Sequence, residues 1–238
     1  MKAFLNWSSG KDAAFSFYKL WLSGKAPNLW LTTVNRQYGR VSMHGVDVRL
    51  LRRQAFEAGV QLREIPLSTT TDLETYDRIM REEVTRLKNQ GYDTAVFGDI
   101  FLEDLKQYRI RQMNRVGMKC LFPVWGYDTR ELAREIIRSG IRAVVVTVNA
   151  RLMDRSFAGR EFDESFLADL PEGVDPCGEN GEFHTFVYDA PFFKKPIAIR
   201  NEGVVFREYK SCDDEDDPVD KDKSKWDTAF WFADLRPE

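Results

Sequence analysis

The sequence predicts an α/β protein in which a doubly wound parallel sheet is followed by a smaller α+β region. In residues 1–150, short apolar segments alternate with helical segments, and this alternation is typical of βαβ units. The alternation ends after Asn149, where a helical stretch, a Gly-rich acidic loop and half-exposed strands follow. We therefore expect one domain over residues 1–150 and a second, C-terminal domain over residues 151–238.

The predicted elements of the first domain follow one another in regular order. Helices are closed by glycines such as Gly24, Gly59 and Gly91, and Thr71 with Glu74 predicts a capping box at the third helix. Right-handed crossovers then place helices on both faces of the sheet. The predicted strands are 3–7, 29–34, 61–67, 93–98, 119–125 and 141–149, and the predicted helices are 12–24, 46–59, 70–91, 102–117 and 129–140.

The C-terminal region has a different pattern. Alternating residues predict strands, and the acidic stretch 212–225 has almost no apolar residue, which indicates a mobile, solvated loop. The predicted elements are a helix near 163–170, a strand over 182–190, a hairpin over 194–211 that turns at residues 201–203, and a last strand over 227–235.

Composition narrows the classes of partner. The net charge is −3, with 35 basic and 38 acidic residues, so bulk electrostatics do not favour nucleic acid. There is no apolar run of 18 residues, which argues against a membrane span, and the N-terminal segment is too polar for a signal peptide. The three cysteines form no C-x-x-C pair. We expect a cytoplasmic protein without a membrane partner, and a homo-oligomer is compatible with the sequence.

The most informative local stretch is Ser8-Ser9-Gly10-Lys11-Asp12, between the first strand and the first helix. The unpaired N–H groups and the dipole of a helix start favour an anion, and small residues let a phosphate approach the backbone. The stretch is not a Walker A loop, because position 5 is leucine and position 12 is aspartate.

The carboxylate of Asp12 needs an explanation in a loop that binds phosphate. At about 4 Å from a phosphate charge, it would cost roughly 4 kcal/mol at an effective dielectric constant near 20. Two interpretations stay open. Asp12 caps the helix together with Ser9 in a capping box, or a Mg²⁺ ion lies between Asp12 and the phosphates.

Further polar residues lie at the carboxyl edge of the predicted sheet. Gly98 and Asp99 follow the strand 93–98, where doubly wound sheets bind ligands, although Asp99 could also cap the next helix. Arg109 could reach a phosphate, whereas Glu103 and Lys106 are spaced as a surface pair. The segment 51–54, Leu-Arg-Arg-Gln, is interpreted as a solvated helix face.

Two motifs together resemble a known family. The segment SSGKDA at 8–13 resembles the S-G-G-x-D-S signature of PP-loop ATP pyrophosphatases, with Ser9 in place of the first glycine and Ala13 in place of the last serine. The segment 178–193, GENGEFHTFVYDAPFF, resembles the E-x-G-E-[YF]-x-T and D-x-P-x-F motifs of the diphthine–ammonia ligase family, in the form with His184 that its bacterial and archaeal relatives carry.

The resemblance implies a Rossmann-like sheet of the adenine nucleotide α-hydrolase type and an ATP-dependent ligase. Such an enzyme cleaves ATP to AMP and pyrophosphate, adenylates a carboxylate and transfers the acyl group to ammonia or an amine. Two alternatives stay open: a non-catalytic ATP- or AMP-binding sensor, and an RNA-modifying sulfur transferase, which the lack of a cysteine pair disfavours. Taken together, these observations predict a site with the following residues: Lys11 and Asp12 as catalytic residues, Asp12 as the Mg²⁺ ligand, Ser8, Ser9, Gly10, Lys11, Asp12, Gly98 and Asp99 at ATP, and His44, Glu179, Asn180, Gly181, Glu182 and His184 at the acceptor.

Overall fold

The structure, a computed structural model, describes residues 1–42, 44–209 and 228–238. Its N-terminal part alternates strands with helices as the sequence predicts. The strands are β1 (Ala3–Asn6), β2 (Leu29–Asn35), β3 (Arg40–Val41), β4 (Gln61–Leu67), β5 (Thr94–Val96) and β6 (Lys119–Leu121), and the helices are α1 (Lys11–Leu22), α2 (Val48–Ala58), α3 (Leu73–Asn89), α4 (Glu103–Asn114) and α5 (Thr129–Arg138).

Five of these strands form a parallel sheet in the order β4-β2-β1-β5-β6. The short β3 adds an antiparallel pair at the end of β2. From β1 the chain adds β2 and then β4 on one side of β1. It then returns to add β5 and β6 on the other side. The point where the direction reverses lies between β1 and β5, and in such sheets the crevice at the carboxyl ends of these two strands binds ligands.

Helices cover both faces of the parallel sheet. Phe4 and Leu31 pack on one face with Val84 of α3 and Met113 of α4. On the other face, Leu5 and Trp30 pack in a second core with residues of α1, α2 and α5. The predicted doubly wound α/β architecture is confirmed.

A separate antiparallel sheet follows, in the order β8-β7-β10-β9. The prediction that 141–149 is the sixth strand of the parallel sheet was wrong, because β7 pairs with β8 and β10 instead. A strand with a continuous buried apolar run, such as residues 143–146, fits either sheet, so its sequence does not choose between them. We propose that the boundary between the two domains lies before β7 instead of at residue 150. The elements of this region are β7 (Arg142–Asn149), α6 (Glu164–Ala168), β8 (Phe183–Asp189), β9 (Ile199–Tyr209) and β10 (Thr228–Pro237).

The predicted hairpin at residues 201–203 does not form. Residues on both sides of Gly203 belong to the single strand β9, which pairs along its length with β10. The Asn-Glu-Gly sequence indicated a turn, but pairing with β10 keeps the chain extended. The predicted loop 212–225 lies outside the described residues.

Two local predictions also differ from the structure. Helix α3 is capped by Asp72, whose carboxylate accepts from the Thr75 N–H, and not by Thr71, whose hydroxyl donates to the Ser68 carbonyl. Within the described part of the chain, no helix is both long and apolar enough to cross a bilayer.

Candidate functional site

The 8–12 loop lies where the sequence predicts, between β1 and α1 at the point where the sheet changes direction. Helix α1 begins at Lys11 with Gly10 as its N-cap residue, and no side chain caps it. The capping box of Ser9 and Asp12 therefore does not form. The buried Ser9 hydroxyl has no hydrogen-bond partner among the described residues.

The Asp12 carboxylate is neutralised within the loop itself. Both of its oxygens lie 3.0 Å from the Lys11 Nζ, which also donates to the Cys177 carbonyl. Lys11 is only 1% exposed. Burial opposes its charge, but the Asp12 carboxylate prevails and raises the pKa of Lys11. Burial raises the pKa of Asp12 against the lowering effect of Lys11. The loop thus carries an ion pair instead of a bare negative charge.

The backbone of the loop is bound to strand β8 of the second sheet. The Val187 N–H donates to the Ser9 carbonyl at 2.9 Å, and the Lys11 N–H donates to the Thr185 hydroxyl at 3.1 Å. The approach is close enough that a Cβ at Gly10 would lie 2.9 Å from Cε1 of His44. Any side chain at position 10 would therefore have to displace the His44 ring or strand β8.

The two histidines of the chain stack on each other beside this loop. The rings of His44 and His184 lie 4.6 Å apart, and Nδ1 of His44 is 3.1 Å from the Thr185 carbonyl. Burial lowers the pKa of His44 to about 4, helped by the Lys11 charge and opposed by the bond to Thr185. Burial, together with His44, also lowers the pKa of His184. Both imidazoles are thus neutral at pH 7, and His44 is positioned as a donor to Thr185.

The loop 175–182 closes over the Lys11 ammonium and is held by its own carboxylates. Asp175 accepts from the N–H groups of Cys177 and Glu179. The Glu182 carboxylate is 3% exposed and accepts from the backbone N–H of Asp175 and from both the backbone N–H and the side-chain amide of Asn180. The Glu182 and Asn180 side chains therefore shape this loop.

Glu179 faces the carboxyl edge of the parallel sheet. Its Oε1 accepts from the Ile100 N–H at 2.7 Å, which connects the loop 175–182 to the end of β5. Burial raises the pKa of Glu179 to about 7, with a further contribution from the Asp12 and Asp99 carboxylates. Glu179 can therefore change its protonation state near neutral pH.

Gly98 and Asp99 border the same crevice. Gly98 lies against the backbone of Asp12 and Ala13, in the first turn of α1. The Asp99 carboxylate binds Arg109, with Nη2–Oδ1 at 3.1 Å, and the guanidinium lies over the Phe97 ring. Asp99 is thus an ion-pair partner and not a helix cap, since Leu102 occupies the N-cap position of α4.

Comparison with known proteins identifies the family of this chain. The sequence profile of the family described as "Diphthamide synthase C-terminal domain" matches residues 128–214. The human diphthine–ammonia ligase is 34% identical over 181 residues, which are 71% of this chain and 67% of the human protein. The chain belongs to the diphthine–ammonia ligase family.

Other relatives of the family cover different shares of the chain. The rat diphthine–ammonia ligase is 34% identical over 68% of this chain and 64% of its own length. The diphthine–ammonia ligase of Schizosaccharomyces pombe is 29% identical, and the match spans 25% of that longer protein. A solved structure described as a predicted subunit of tRNA methyltransferase from Methanocaldococcus jannaschii overlaps 60% of this chain and 80% of its own, at 16% identity and a TM-score of 0.39.

The Asp12 carboxylate fits a Mg²⁺ ion only where phosphate oxygens supply further ligands. Across the described residues, no three His, Cys, Asp or Glu side chains converge as a metal site. Asp12 keeps 26% of its side chain exposed, so one carboxylate can face an ion that also binds phosphate oxygens. Mg²⁺ is commonly held in this way, by one or two carboxylates plus substrate phosphates.

Sequence reasoning missed residues that hold the site together. Gln54 is fully buried, so the interpretation of 51–54 as a solvated face was wrong for Leu51 and Gln54. The signal was present in the sequence: Gln54 falls on the same helical stripe as Leu50 and Leu51. No local pattern could show that Thr185 bonds the Lys11 N–H, because 174 residues separate them.

Proposed function

We propose that this protein is an AMP-forming, ATP-dependent ligase that adenylates a carboxylate and amidates it with ammonia. Membership of the diphthine–ammonia ligase family supports an amidating reaction. The observation that carries the proposal is the 8–12 loop, which lies where the parallel sheet changes direction and whose Asp12 charge is balanced by Lys11.

The ATP site would be built from the 8–12 loop and the end of β5. The Ser8 side chain and the backbone of Ser9 and Gly10 would border the phosphates, with Gly98 and Asp99 opposite them. Because the Lys11 ammonium cancels the Asp12 charge, a polyanion approaches without net repulsion. When bound with ATP, Mg²⁺ would supply charge neutralisation at the phosphate oxygens, and Asp12 would hold it.

The reaction proceeds in two balanced steps. A carboxylate oxygen attacks the α-phosphorus of ATP, and the bond to the β-phosphate breaks, which gives an acyl-adenylate and pyrophosphate. Ammonia then attacks the acyl carbon, AMP leaves and one proton is released, which gives the amide. Lys11 is held in place before the reaction, so its charge stabilises the developing negative charge without reorganisation.

The acceptor and ammonia would bind beside the loop 175–182. Glu179 has a pKa near 7 and no bound partner at its second oxygen among the described residues, so it can take a proton as ammonium becomes ammonia. Asn180, Gly181 and Glu182 shape the loop that presents it. The neutral pair His44 and His184 would line the same side, and the carboxylate acceptor itself is a substrate to be identified.

The test incubates the protein with Mg-ATP, ammonium and a panel of carboxylates and measures AMP and pyrophosphate. We expect both products to form together, and Asp12→Asn to reduce their rate on the order of a hundredfold, as loss of an electrostatic contact does. Asp104→Asn on the exposed surface of α4 makes the same chemical change and should leave the rate unchanged. ATP binding without release of pyrophosphate from ATP, whichever acceptor is present, would instead indicate a nucleotide sensor.

A further inference from the structure

Ser9 adopts a backbone conformation that a side chain disfavours. Its φ is +75°, the only positive value for a non-glycine residue in the described part of the chain. Glycine adopts such angles readily, but a Cβ crowds the backbone there. The surrounding structure must therefore hold Ser9 in this conformation.

Gln54 of α2 provides that support. Its side-chain carbonyl accepts from the Trp7 Nε1 at 2.8 Å, and its amide donates to the Ser9 carbonyl at 3.0 Å and to the Val187 carbonyl at 2.7 Å. The amide is fully buried, with both its oxygen and its nitrogen engaged. It thus connects the end of β1, the 8–12 loop and strand β8.

Fixing the Ser9 carbonyl also fixes the orientation of the next N–H group. The carbonyl of Ser9 and the N–H of Gly10 belong to one planar peptide and point in opposite directions. Because Gln54 and Val187 both bind the carbonyl, the Gly10 N–H is turned towards the Ser8 hydroxyl, 3.3 Å away. This N–H is among the first donors of the site at the start of α1.

We infer that Gln54 is a positioning residue for the phosphate-binding loop, because it holds Ser9 in the left-handed conformation that glycine would adopt without support. The inference rests on the proposed function in that the loop is taken to bind ATP. It implies that serine at position 9 does not weaken the loop. The Gln54 hydrogen bonds stabilise the left-handed backbone conformation that serine disfavours and glycine would adopt unaided.

The experiment measures loop order and ATP affinity separately. Hydrogen–deuterium exchange of residues 8–13 is followed in the protein without nucleotide, and Mg-ATP binding is measured by calorimetry. The first variant is Gln54→Glu, which keeps the acceptor for Trp7 and loses both donors when ionised or one donor when protonated. The second is Gln54→Met, which loses both donors and adds no buried charge. Ser9→Gly is made alone and combined with each. Gln61→Glu on the exposed surface of β4 is the control for charge.

We expect loss of the Gln54 donors to speed exchange of the loop and to weaken ATP binding by about tenfold, the effect of one strained residue set free. Adding Ser9→Gly should bring both back to within about twofold of Ser9→Gly alone, since glycine needs no support. The melting temperature should stay lowered, because Trp7 or Val187 still lacks a partner.

Two results would overturn the inference. One is unchanged exchange and affinity in both folded Gln54 variants; the other is a defect that Ser9→Gly does not relieve, which would make Gln54 a general stabiliser. If Gln54→Glu does not fold, the Gln54→Met pair decides. A third result separates the two proposals. If the Gln54 variants exchange faster than the wild type but the wild type binds no ATP, the proposed function is contradicted and the role of Gln54 in loop order is supported.

Discussion

At the scale of single residues, Asp12 shows how far sequence reasoning reaches. The sequence identified the carboxylate as the unusual feature of the loop and allowed a cap or a metal ligand. The structure rules out the cap, because Asp12 turns to Lys11 and Gly10 caps α1. Tertiary contacts select the rotamers of these two neighbouring side chains. The Lys11 ammonium, for example, also donates to the Cys177 carbonyl, which lies far along the chain. A local sequence pattern therefore cannot show the pairing of Lys11 with Asp12.

The raised pKa of Glu179 predicts a dependence of stability on pH. Its pKa rises from 4.5 to about 7 on folding, so the folded state binds the proton more tightly. Stability from this group is complete below pH 4.5 and is lost as the pH rises through 7. We expect the wild type to lose about 1–3 kcal/mol of unfolding free energy across this window relative to Glu179→Gln, measured by urea denaturation.

A matched control separates this effect from others in the same pH range. His44 acts in the opposite direction, because its pKa is lowered to about 4 and its contribution is lost as the pH falls. Glu172→Gln, at an exposed position of the preceding segment, should follow the wild-type curve. Parallel curves for the wild type and Glu179→Gln would show that burial does not perturb Glu179.

At the scale of elements, the loop 175–182 depends on Gly178 more than the segment before it depends on Gly173. Gly178 has a φ of +69°, and a Cβ there would lie 2.7 Å from the Phe183 carbonyl. Gly173 has a φ of +83°, but a Cβ there would meet no atom within 4 Å. Both positions carry the same conformational cost, and only Gly178 adds a backbone clash.

This contrast yields a prediction for two alanine variants. Gly173→Ala should destabilise the protein by about 1 kcal/mol, the cost of a left-handed alanine. Gly178→Ala should cost about 2 kcal/mol more, because the loop must shift, and the shift moves the Cys177 carbonyl away from Lys11. Thermal denaturation measures both, and equal losses in the two variants would contradict the clash.

Elements were predicted better than their partners. Every helix and strand of the parallel sheet appears near its predicted position, because apolar periodicity and glycine stops are local signals. The sheet to which β7 belongs and the continuity of β9 were predicted wrongly. Both depend on pairing with β10, whose residues lie far along the chain. Strand propensity indicates that a segment fits into a sheet, but it does not indicate which strand will pair with it.

At the scale of the whole molecule, an ion network connects the two sheets. Asp47, at the start of α2, accepts from Arg236 of β10 at 2.9 Å, and Arg236 also binds Asp234 at 3.0 Å. Arg40 of β3 donates to Asp234 at 2.7 Å. Burial opposes the charge of Asp47, but its bonds to Arg49 and Arg236 lower its pKa to about 2. Its contribution is present above pH 3.8 and is lost as the pH falls through 2.

The network predicts a salt-dependent loss in Asp47→Asn. An asparagine still caps α2 but no longer pairs with the arginines, so we expect a loss of about 1–3 kcal/mol at low salt and less at high salt. Asp72→Asn is the matched control, because Asp72 caps α3 at an exposed position and should change stability little. A salt-independent loss would show that the ion pairs do not hold the sheets together.

We propose above all that the loop between β1 and α1 directs cleavage of ATP between the α- and β-phosphates. Phosphorus NMR of Mg-ATP with the protein, ammonium and an acceptor distinguishes the products directly. We predict signals of AMP and pyrophosphate in equal amounts, which grow roughly a hundredfold more slowly in Asp12→Asn. Formation of ADP and inorganic phosphate by the wild type would contradict this proposal.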